Sequence, residues 1–535
     1  MQWPLLVSSL LRHAELNFGD REIVSRRLEG DLHRYDYRGL AARARRVANA
    51  LRGLGVAAGE RIATLAWNGH RHLELYYGIS GMGAVVHTIN PRLHPEQLSW
   101  IANHAGDRLL CFDATFLPLV AAIAPQLPSV RGYVLLAGRD HMPADSGIPN
   151  LHCYEDWIDA ASDRYEWPML DEHAACGLCY TSGTTGHPKG VLYSHRAMVL
   201  HAYGVALPDT MCLSESDTVL PVVPMFHANA WGLPYACCMV GAKLVLPGPH
   251  LDGKSLHDLF ESEQVTMSAG VPTVWQGLLA YMEQHGLRFS SMRRTVIGGS
   301  ACPAAMIRRF EERYGVEVLH GWGMTETGPL ATISRPKPRH RDLGFDGRLA
   351  VKARQGRPVF GVELKTVDEN GRELPRDGKT SGELMIRGSW VTARYFRGED
   401  SNQRDGWFPT GDVSTLDGDG YVQITDRSKD VIKSGGEWIG SIDLENIAMG
   451  HPAVAMAACI GVKHPKWDER PLLVVVRKPG AAIGRDELLG YFVGKVAKWW
   501  IPDDVAFVDS IPLGATGKMQ KHKLREQFAD HRLPG

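Results

Sequence analysis

One feature restricts this chain more than any other. An apolar run at 174–179 breaks into Tyr180-Thr-Ser-Gly-Thr-Thr-Gly-His-Pro-Lys-Gly190, and a helical segment follows from His195. A short apolar run bounded by turn residues reads as a buried strand. A loop of glycines and hydroxyls after a strand is suited to wrapping phosphate. Glycine lets the backbone come close, and amide N–H groups and hydroxyls donate to phosphate oxygens. Lys189 adds a cation. Thr181, Ser182, Gly183, Thr184, Thr185, Gly186 and Lys189 are therefore candidate phosphate-binding residues. The spacing is not that of a P-loop, because two residues separate Gly186 from Lys189 and no Gly-Lys-Ser/Thr occurs. A Ser/Thr-rich surface turn is the plain alternative, and the density of specified positions from Ser182 to Gly190 argues against it. The pair Cys176-Gly-Leu-Cys179 has no second pair to complete a zinc site, so both cysteines are expected as buried strand residues.

The rest of the chain supplies a setting for such a loop. Leu6, Val7, Leu10, Leu11 and Ala14 fit one helical face, 61–67 reads as a strand, 72–79 as a helix and 83–89 as a strand again. Strands at 219–223, 243–246 and 295–297 continue the alternation, which predicts largely parallel, helix-covered sheets. After about residue 356 short strands at 362–367, 382–386 and 420–424 are parted by Gly, Asp and Asn, predicting a small antiparallel β unit. The last stretch mixes strands (457–462, 472–476) with helices (487–496, 521–528). The fold class expected is thus α/β and α+β multidomain: a large N-terminal body with helix-covered sheets and a small β unit, and a smaller α+β C-terminal domain. The charged junction Asp426-Arg-Ser-Lys-Asp430 divides them, giving 1–425, a hinge at 426–430, and 431–535.

Composition excludes several function classes. At 535 residues the chain exceeds one ordinary domain, and 59 Lys and Arg against 60 Asp and Glu leave a net charge of -1. No charge bias points to a nucleic-acid or acidic-membrane partner. No apolar run approaches the roughly 18 residues of a membrane helix, so stable membrane insertion is not expected. The first residues lack a basic region, so no secretory signal is expected, and nine cysteines suit a reducing cytoplasm rather than a disulfide scaffold. His70-Arg-His72 offers two histidines without a third ligand and is expected as a surface segment rather than a metal site.

Further motifs follow the loop in order: Pro224-Met-Phe-His-Ala-Asn-Ala-Trp-Gly232, Gly298-Gly-Ser-Ala301, Gly321-Trp-Gly-Met-Thr-Glu326, Trp407-Phe-Pro-Thr-Gly-Asp412, Asp426-Arg-Ser-Lys-Asp430 and Pro512-Leu-Gly-Ala-Thr-Gly-Lys518. Together with the loop they resemble the signature of the adenylate-forming superfamily, which includes acyl-CoA synthetases, peptide-synthetase adenylation domains and beetle luciferases. The stretches Lys433-Ser-Gly-Gly-Glu-Trp-Ile439, Asp443-Leu-Glu-Asn446 and His464-Pro-Lys-Trp-Asp-Glu-Arg-Pro471 are most similar to medium- and long-chain fatty acyl-CoA synthetases.

The resemblance implies an AMP-forming acid–thiol ligase that joins a fatty acid to ATP as acyl-AMP and passes the acyl group to coenzyme A. Both halves need charge control more than a covalent nucleophile. Lys518 would bridge the carboxylate and the α-phosphate. Glu326, helped by Thr181, would hold Mg²⁺, a hard cation that commonly takes one carboxylate plus phosphates. Thr325 would meet the α-phosphate, and Trp322, where many relatives carry Tyr, would stack on adenine. Gly299, Ser300, Ala301, His320, Gly321, Gly323 and Met324 would line the adenine pocket. Asp412, assisted by Arg427, would accept the ribose hydroxyls, with Lys429 and Lys433 reaching the nucleotide in one domain pose. His227, Ala228 and Trp231 would border the acyl pocket, His227 as a catalytic residue that shields or orients the carboxylate and Trp231 closing an acyl tunnel, although a purely structural Trp231 is also consistent. Gly435, Gly436 and Trp438 would line the thiol path. The long-chain members imply a homodimer. Other readings stay open: a short functionalised acid such as a thioether acid, an aryl acid, a carrier-protein acceptor, a luciferase-like oxygenase, or a binding protein without activity.

Overall fold

The structure is a computed structural model that describes residues 2–181, 187–398, 402–427, 430–434, 437–514 and 519–534. Two large sheets form the body. The seven-stranded sheet runs Leu151–Cys153, Gly132–Leu135, Leu109–Phe112, Arg61–Leu65, Val85–Thr88, Ala175–Tyr180, Gly190–Ser194. All neighbours in it are parallel until the last pair, which is antiparallel. The Gly-rich segment therefore joins two adjacent strands, with a five-residue edge strand before the helix His195–Ala206. This differs from a P-loop, where the loop runs straight into a helix N-terminus.

The nine-stranded sheet has six parallel strands at its centre, in the order Glu317–Gly323, Arg294–Ile297, Met267–Gly270, Thr218–Pro221, Lys243–Leu246 and Glu22–Arg26. Antiparallel strands close both edges. The main core lies between the two sheets and is filled by the helices Tyr37–Gly53, His70–Gly81, His195–Ala206 and Leu233–Val240. Separate apolar clusters cover the outer face of each sheet.

Burial on every side explains one failure of the sequence reading. All twelve residues of His70–Gly81 are buried, so His70-Arg-His72 is not a surface segment. His72 bonds Thr64 and the Trp67 carbonyl, and burial lowers its pKa to about 4. Arg71 pairs with Glu29 and Glu155, both at 2.7 Å. Cys176 and Cys179 are buried strand residues, as expected.

The small β unit is a four-stranded antiparallel sheet of Val362–Val367, Gly382–Gly388, Phe408–Leu416 and Val422–Arg427. The C-terminal unit centres on the hairpin Val454–His464 and Asp468–Arg477, with Asp504–Phe507 added in parallel and its own core beneath. The helix expected over 487–496 is only Arg485–Gly490. Gly490 ends it, and Gly494 at φ 78° takes a conformation no right-handed helix contains.

Candidate functional site

In open α/β sheets, ligands bind beyond the carboxyl ends of the parallel strands. The motif segments converge there. Glu317–Gly323 carries His320, Gly321, Trp322 and Gly323, and a short turn with Met324, Thr325 and Glu326 follows. Arg294–Ile297 leads into Gly298, Gly299, Ser300 and Ala301; Thr218–Pro221 leads toward His227 and Trp231; Ala175–Tyr180 leads into Thr181. The two glycine turns pack tightly. A Cβ on Gly298 would lie 2.6 Å from the Gly321 carbonyl and 3.2 Å from the Trp231 ring, and one on Gly323 would lie 1.8 Å from the Pro329 carbonyl. Only glycine fits at either place.

Three motif residues join directly. The Trp322 indole Nε1 donates to Asp412 Oδ2 at 3.1 Å, and Arg427 Nε reaches Asp412 Oδ1 at 2.7 Å. Asp412 is 2% exposed. A buried carboxylate needs such partners to stay ionised. Asp412 and Arg427 face each other on the paired strands Phe408–Leu416 and Val422–Arg427. His320 is fixed at both ring nitrogens: Nδ1 lies 3.0 Å from the Ala353 carbonyl, and Nε2 accepts from the Cys302 amide at 3.3 Å. Burial lowers its pKa to about 4, so it is neutral at physiological pH.

Glu326 is buried, and its Oε1 accepts from the Tyr395 hydroxyl at 2.7 Å, while its carbonyl accepts from the Thr392 amide at 2.8 Å. Burial, reinforced by Glu326, pushes the Tyr395 phenol well above its ordinary range, which keeps it a donor. Lys189 Nζ lies 4.9 Å from the Tyr395 ring centre, within cation–π range. Tyr395 therefore links the loop cation to the motif carboxylate. Sequence reading missed it, since a tyrosine between Arg394 and Phe396 carries no local signal. Tyr193 is a second such residue; its hydroxyl donates to the Thr325 carbonyl at 2.6 Å. Thr181 donates its amide to the Lys189 carbonyl at 2.8 Å, closing the neck of the loop.

The segment bearing His227 and Trp231 is unusual. Ala228, Asn229, Ala230 and Trp231 have φ of 43°, 52°, 47° and 56°, a left-handed turn of four non-glycine residues. Each costs roughly 1–2 kcal/mol relative to a right-handed turn. The surroundings hold it. The Asn229 side-chain oxygen accepts from the Tyr76 hydroxyl at 3.2 Å, and the Ala230 amide donates to the Pro224 carbonyl at 3.2 Å. Asn68 donates to the Pro221 and Val223 carbonyls and accepts from the Met225 amide. Trp231 is thereby set against Gly298 and Gly299.

At the junction, Asp426 is buried and its Oδ2 accepts from the Ser441 amide at 2.8 Å. Lys521 lies with Ser441 and Glu445, its Nζ 2.7 Å from Glu445 Oε1, and none of the three is solvent-exposed. Burial raises the pKa of Asp426 and Glu445, and Lys521 opposes it. Lys521, at the start of the helix expected over 521–528, is thus an internal ion-pair partner. Lys433 is exposed on Ile432–Ser434, and its amide donates to Glu469 at 3.0 Å. Trp438 lies on Glu437–Ile439, paired with Ile432–Ser434. Ser182, Gly183, Thr184, Thr185, Gly186, Lys429, Gly435, Gly436 and Lys518 lie outside the described residues.

Among the described residues, no group of three His, Cys, Asp or Glu is arranged to hold a metal ion, and no helix is long and apolar enough to cross a membrane. Glu326 offers a single hard-oxygen ligand at the cleft. That suits an ion such as Mg²⁺, which takes its other ligands from nucleotide phosphates and water.

Comparison with known proteins shows the family. The family model described as AMP-binding enzyme matches residues 11–396, and AMP-binding enzyme C-terminal domain matches 443–518. The 3-methylmercaptopropionyl-CoA ligase of Ruegeria lacuscaerulensis is 55% identical over 531 residues, 99% of this chain and 98% of the relative. The medium-chain-fatty-acid–CoA ligase of Ectopseudomonas oleovorans is 52% identical over 531 residues, covering 99% of this chain and 97% of the relative. Among solved structures, an anthranilate CoA ligase in complex with anthranoyl-AMP superposes with a TM-score of 0.86 at 28% identity, covering 98% of each chain. The chain belongs to the AMP-binding enzyme family, and within it to the AMP-forming acyl-CoA ligases.

Proposed function

We propose that the enzyme activates an aliphatic carboxylic acid of medium or long chain, using the residues gathered at the strand ends in the roles their chemistry suits. In the first half-reaction the acid's carboxylate oxygen bonds to the α-phosphorus of ATP and pyrophosphate leaves. In the second the thiolate of coenzyme A attacks the acyl carbon, AMP leaves, and the thiol proton passes to solvent. The observation that carries this reading is the Trp322–Asp412–Arg427 constellation, in which three motifs meet on one buried carboxylate. Asp412 is suited to accept the ribose hydroxyls, with Arg427 keeping it ionised and aimed. Trp322 presents an indole face to adenine while its N–H is held. Thr181, Lys189 and the loop amides take the polyphosphate. Lys518 supplies the cation between carboxylate and α-phosphate, which otherwise repel.

Glu326, oriented by Tyr395, is the residue that would hold Mg²⁺ with Thr181 nearby, and the ion would neutralise charge on the phosphates. Trp231 and His227 border the acyl end. The segment 426–430 serves as the hinge that exchanges Lys518 for the thiol path at Gly435, Gly436 and Trp438, between a body of 1–425 and a C-terminal domain of 431–535. A cytoplasmic setting and a homodimer complete the proposal.

A second reading, a short thioether acid, is favoured by the 55% identity to a 3-methylmercaptopropionyl-CoA ligase. Pyrophosphate release, measured over straight-chain acids of graded length and over 3-methylmercaptopropionate, with and without coenzyme A, separates the two. The first reading expects kcat/KM to rise with chain length into the medium range. A maximum at the thioether acid replaces it. Release of pyrophosphate without consumption of coenzyme A points instead to a carrier-protein acceptor.

A further inference from the structure

The helix Pro95–Ala105 reaches both ends of the Gly-rich loop from one face. Trp100 and His104 lie four residues apart, so their side chains share a side of the helix. His104 Nδ1 lies 2.6 Å from the hydroxyl of Tyr180, the last residue of the strand entering the loop. Trp100 stacks on His187, on the exit side of the loop, with ring centres 4.5 Å apart and planes at 7°. Trp100 also stacks on His104, at 4.6 Å and 12°. One run of rings, His187–Trp100–His104, thus spans from the exit of the loop to its entry. Phe396 joins the same cluster: its ring is edge-on to His104 at 5.8 Å, and its amide donates to the Gly190 carbonyl at 2.7 Å. The next residue back is Tyr395, which meets Lys189 and Glu326.

This arrangement has a mechanical meaning. The Thr181 amide donates to the Lys189 carbonyl at 2.8 Å, so contacts that hold Tyr180 and His187 also hold the neck where Thr181 meets Lys189. Stacked rings keep their separation, and a helix is a rigid mount. His187 is exposed, so its stacking serves no core.

We propose that Trp100, His104 and His187 form an anchor that sets Thr181 and Lys189, at the two described ends of the Gly-rich segment, for nucleotide binding. All three are positioning residues that act through the loop. The proposal rests on the reading of that loop as the polyphosphate grip.

Three variants test it: Trp100→Leu, Trp100→Phe and His187→Leu, with Lys189→Met as the control for the loop itself. The expected result is that Trp100→Leu and His187→Leu each raise the KM for ATP in pyrophosphate exchange by about tenfold. Both should leave thioester formation from supplied acyl-adenylate and coenzyme A unchanged, because no pyrophosphate remains to be held. Trp100→Phe keeps a flat ring and should restore most of the ATP affinity. A merely structural role would lower both half-reactions together and would overturn the proposal. His187→Leu removes an exposed ring, so it remains informative even if Trp100→Leu fails to fold. If Lys189→Met raises the KM for ATP and His187→Leu does not, the anchor is wrong and the loop reading stands. If neither changes it, both are wrong.

Discussion

The substitution Trp322→Phe isolates one bond at the centre of the site. Phenylalanine keeps a flat ring for adenine but loses the N–H that donates to Asp412 Oδ2 at 3.1 Å. Asp412 is buried, so solvent cannot readily replace that donor. A hydrogen bond to a charged group contributes about 1.5–3 kcal/mol, or about 10- to 150-fold in an equilibrium or rate ratio. The loss should fall on nucleotide binding, because the carboxylate would lose one of the groups that orient it while keeping Arg427. The assay is kcat/KM for ATP in acyl-dependent pyrophosphate exchange, run in parallel with 2′-deoxy-ATP. The expected outcome is a drop in the stated range for ATP and a smaller drop for 2′-deoxy-ATP, which offers Asp412 one hydroxyl fewer. Equal loss with both nucleotides, or a change under about twofold, well below one bond to a charged group, would refute the argument that Trp322 works through Asp412.

Other outcomes follow from the same geometry. Lys518→Ala should abolish adenylate formation yet spare thioester formation from supplied acyl-adenylate; normal ATP–pyrophosphate exchange in this variant refutes the role. Tyr395→Phe frees the Glu326 carboxylate from its orienting donor, so the Mg²⁺ concentration for half-maximal rate should rise severalfold, as read by titration; an unchanged midpoint refutes it. Lys521→Met leaves Asp426 and Glu445 without their buried cation, and breaking such a pair costs about 3–5 kcal/mol. The pKa of both carboxyls is raised in the folded state, so folding takes up protons and stability falls as pH rises through that interval. Removing Lys521 raises them further. Calorimetry should therefore show the variant weakest near neutrality and recovering as pH falls toward the ordinary carboxylate range; a pH-independent deficit refutes it.

The parts legible in the sequence are those where backbone and chemistry demand specific residues locally. The Gly-rich loop after its strand, the glycines at 298 and 323, and the motif ending in Asp412 declare themselves because few residue types satisfy their chemistry, whereas the strand Gly190–Ser194 after the loop is not among the expected elements. The strands at 61–65, 243–246 and 294–297 are short apolar runs at the positions expected. The parts that were not legible depend on contacts distant in sequence. His70, Arg71 and His72 look like a surface segment, yet their helix lies between two sheets, so no polar face exists to reveal its direction. Lys521 resembles its exposed neighbour Lys523 until Glu445 and Asp426 are brought beneath it. Tyr395 and Trp100 act on the loop from segments far from it in the chain. The left-handed turn at 228–231 has only Asn229 as a hint, because alanine and tryptophan do not favour it.

With Trp231 at the acyl end, as proposed, that turn also bears on how the substrate range can change over generations. The orientation of Trp231 is a property of its backbone, and the backbone is restrained by Tyr76, Asn68 and the Pro224 carbonyl in other parts of the fold. A new side chain at 231 would inherit the same direction. Laboratory selection for a differently shaped acid should therefore recover remote changes at Tyr76 and Asn68 alongside those at the pocket wall, and gains in substrate range should arrive together with losses in thermal tolerance.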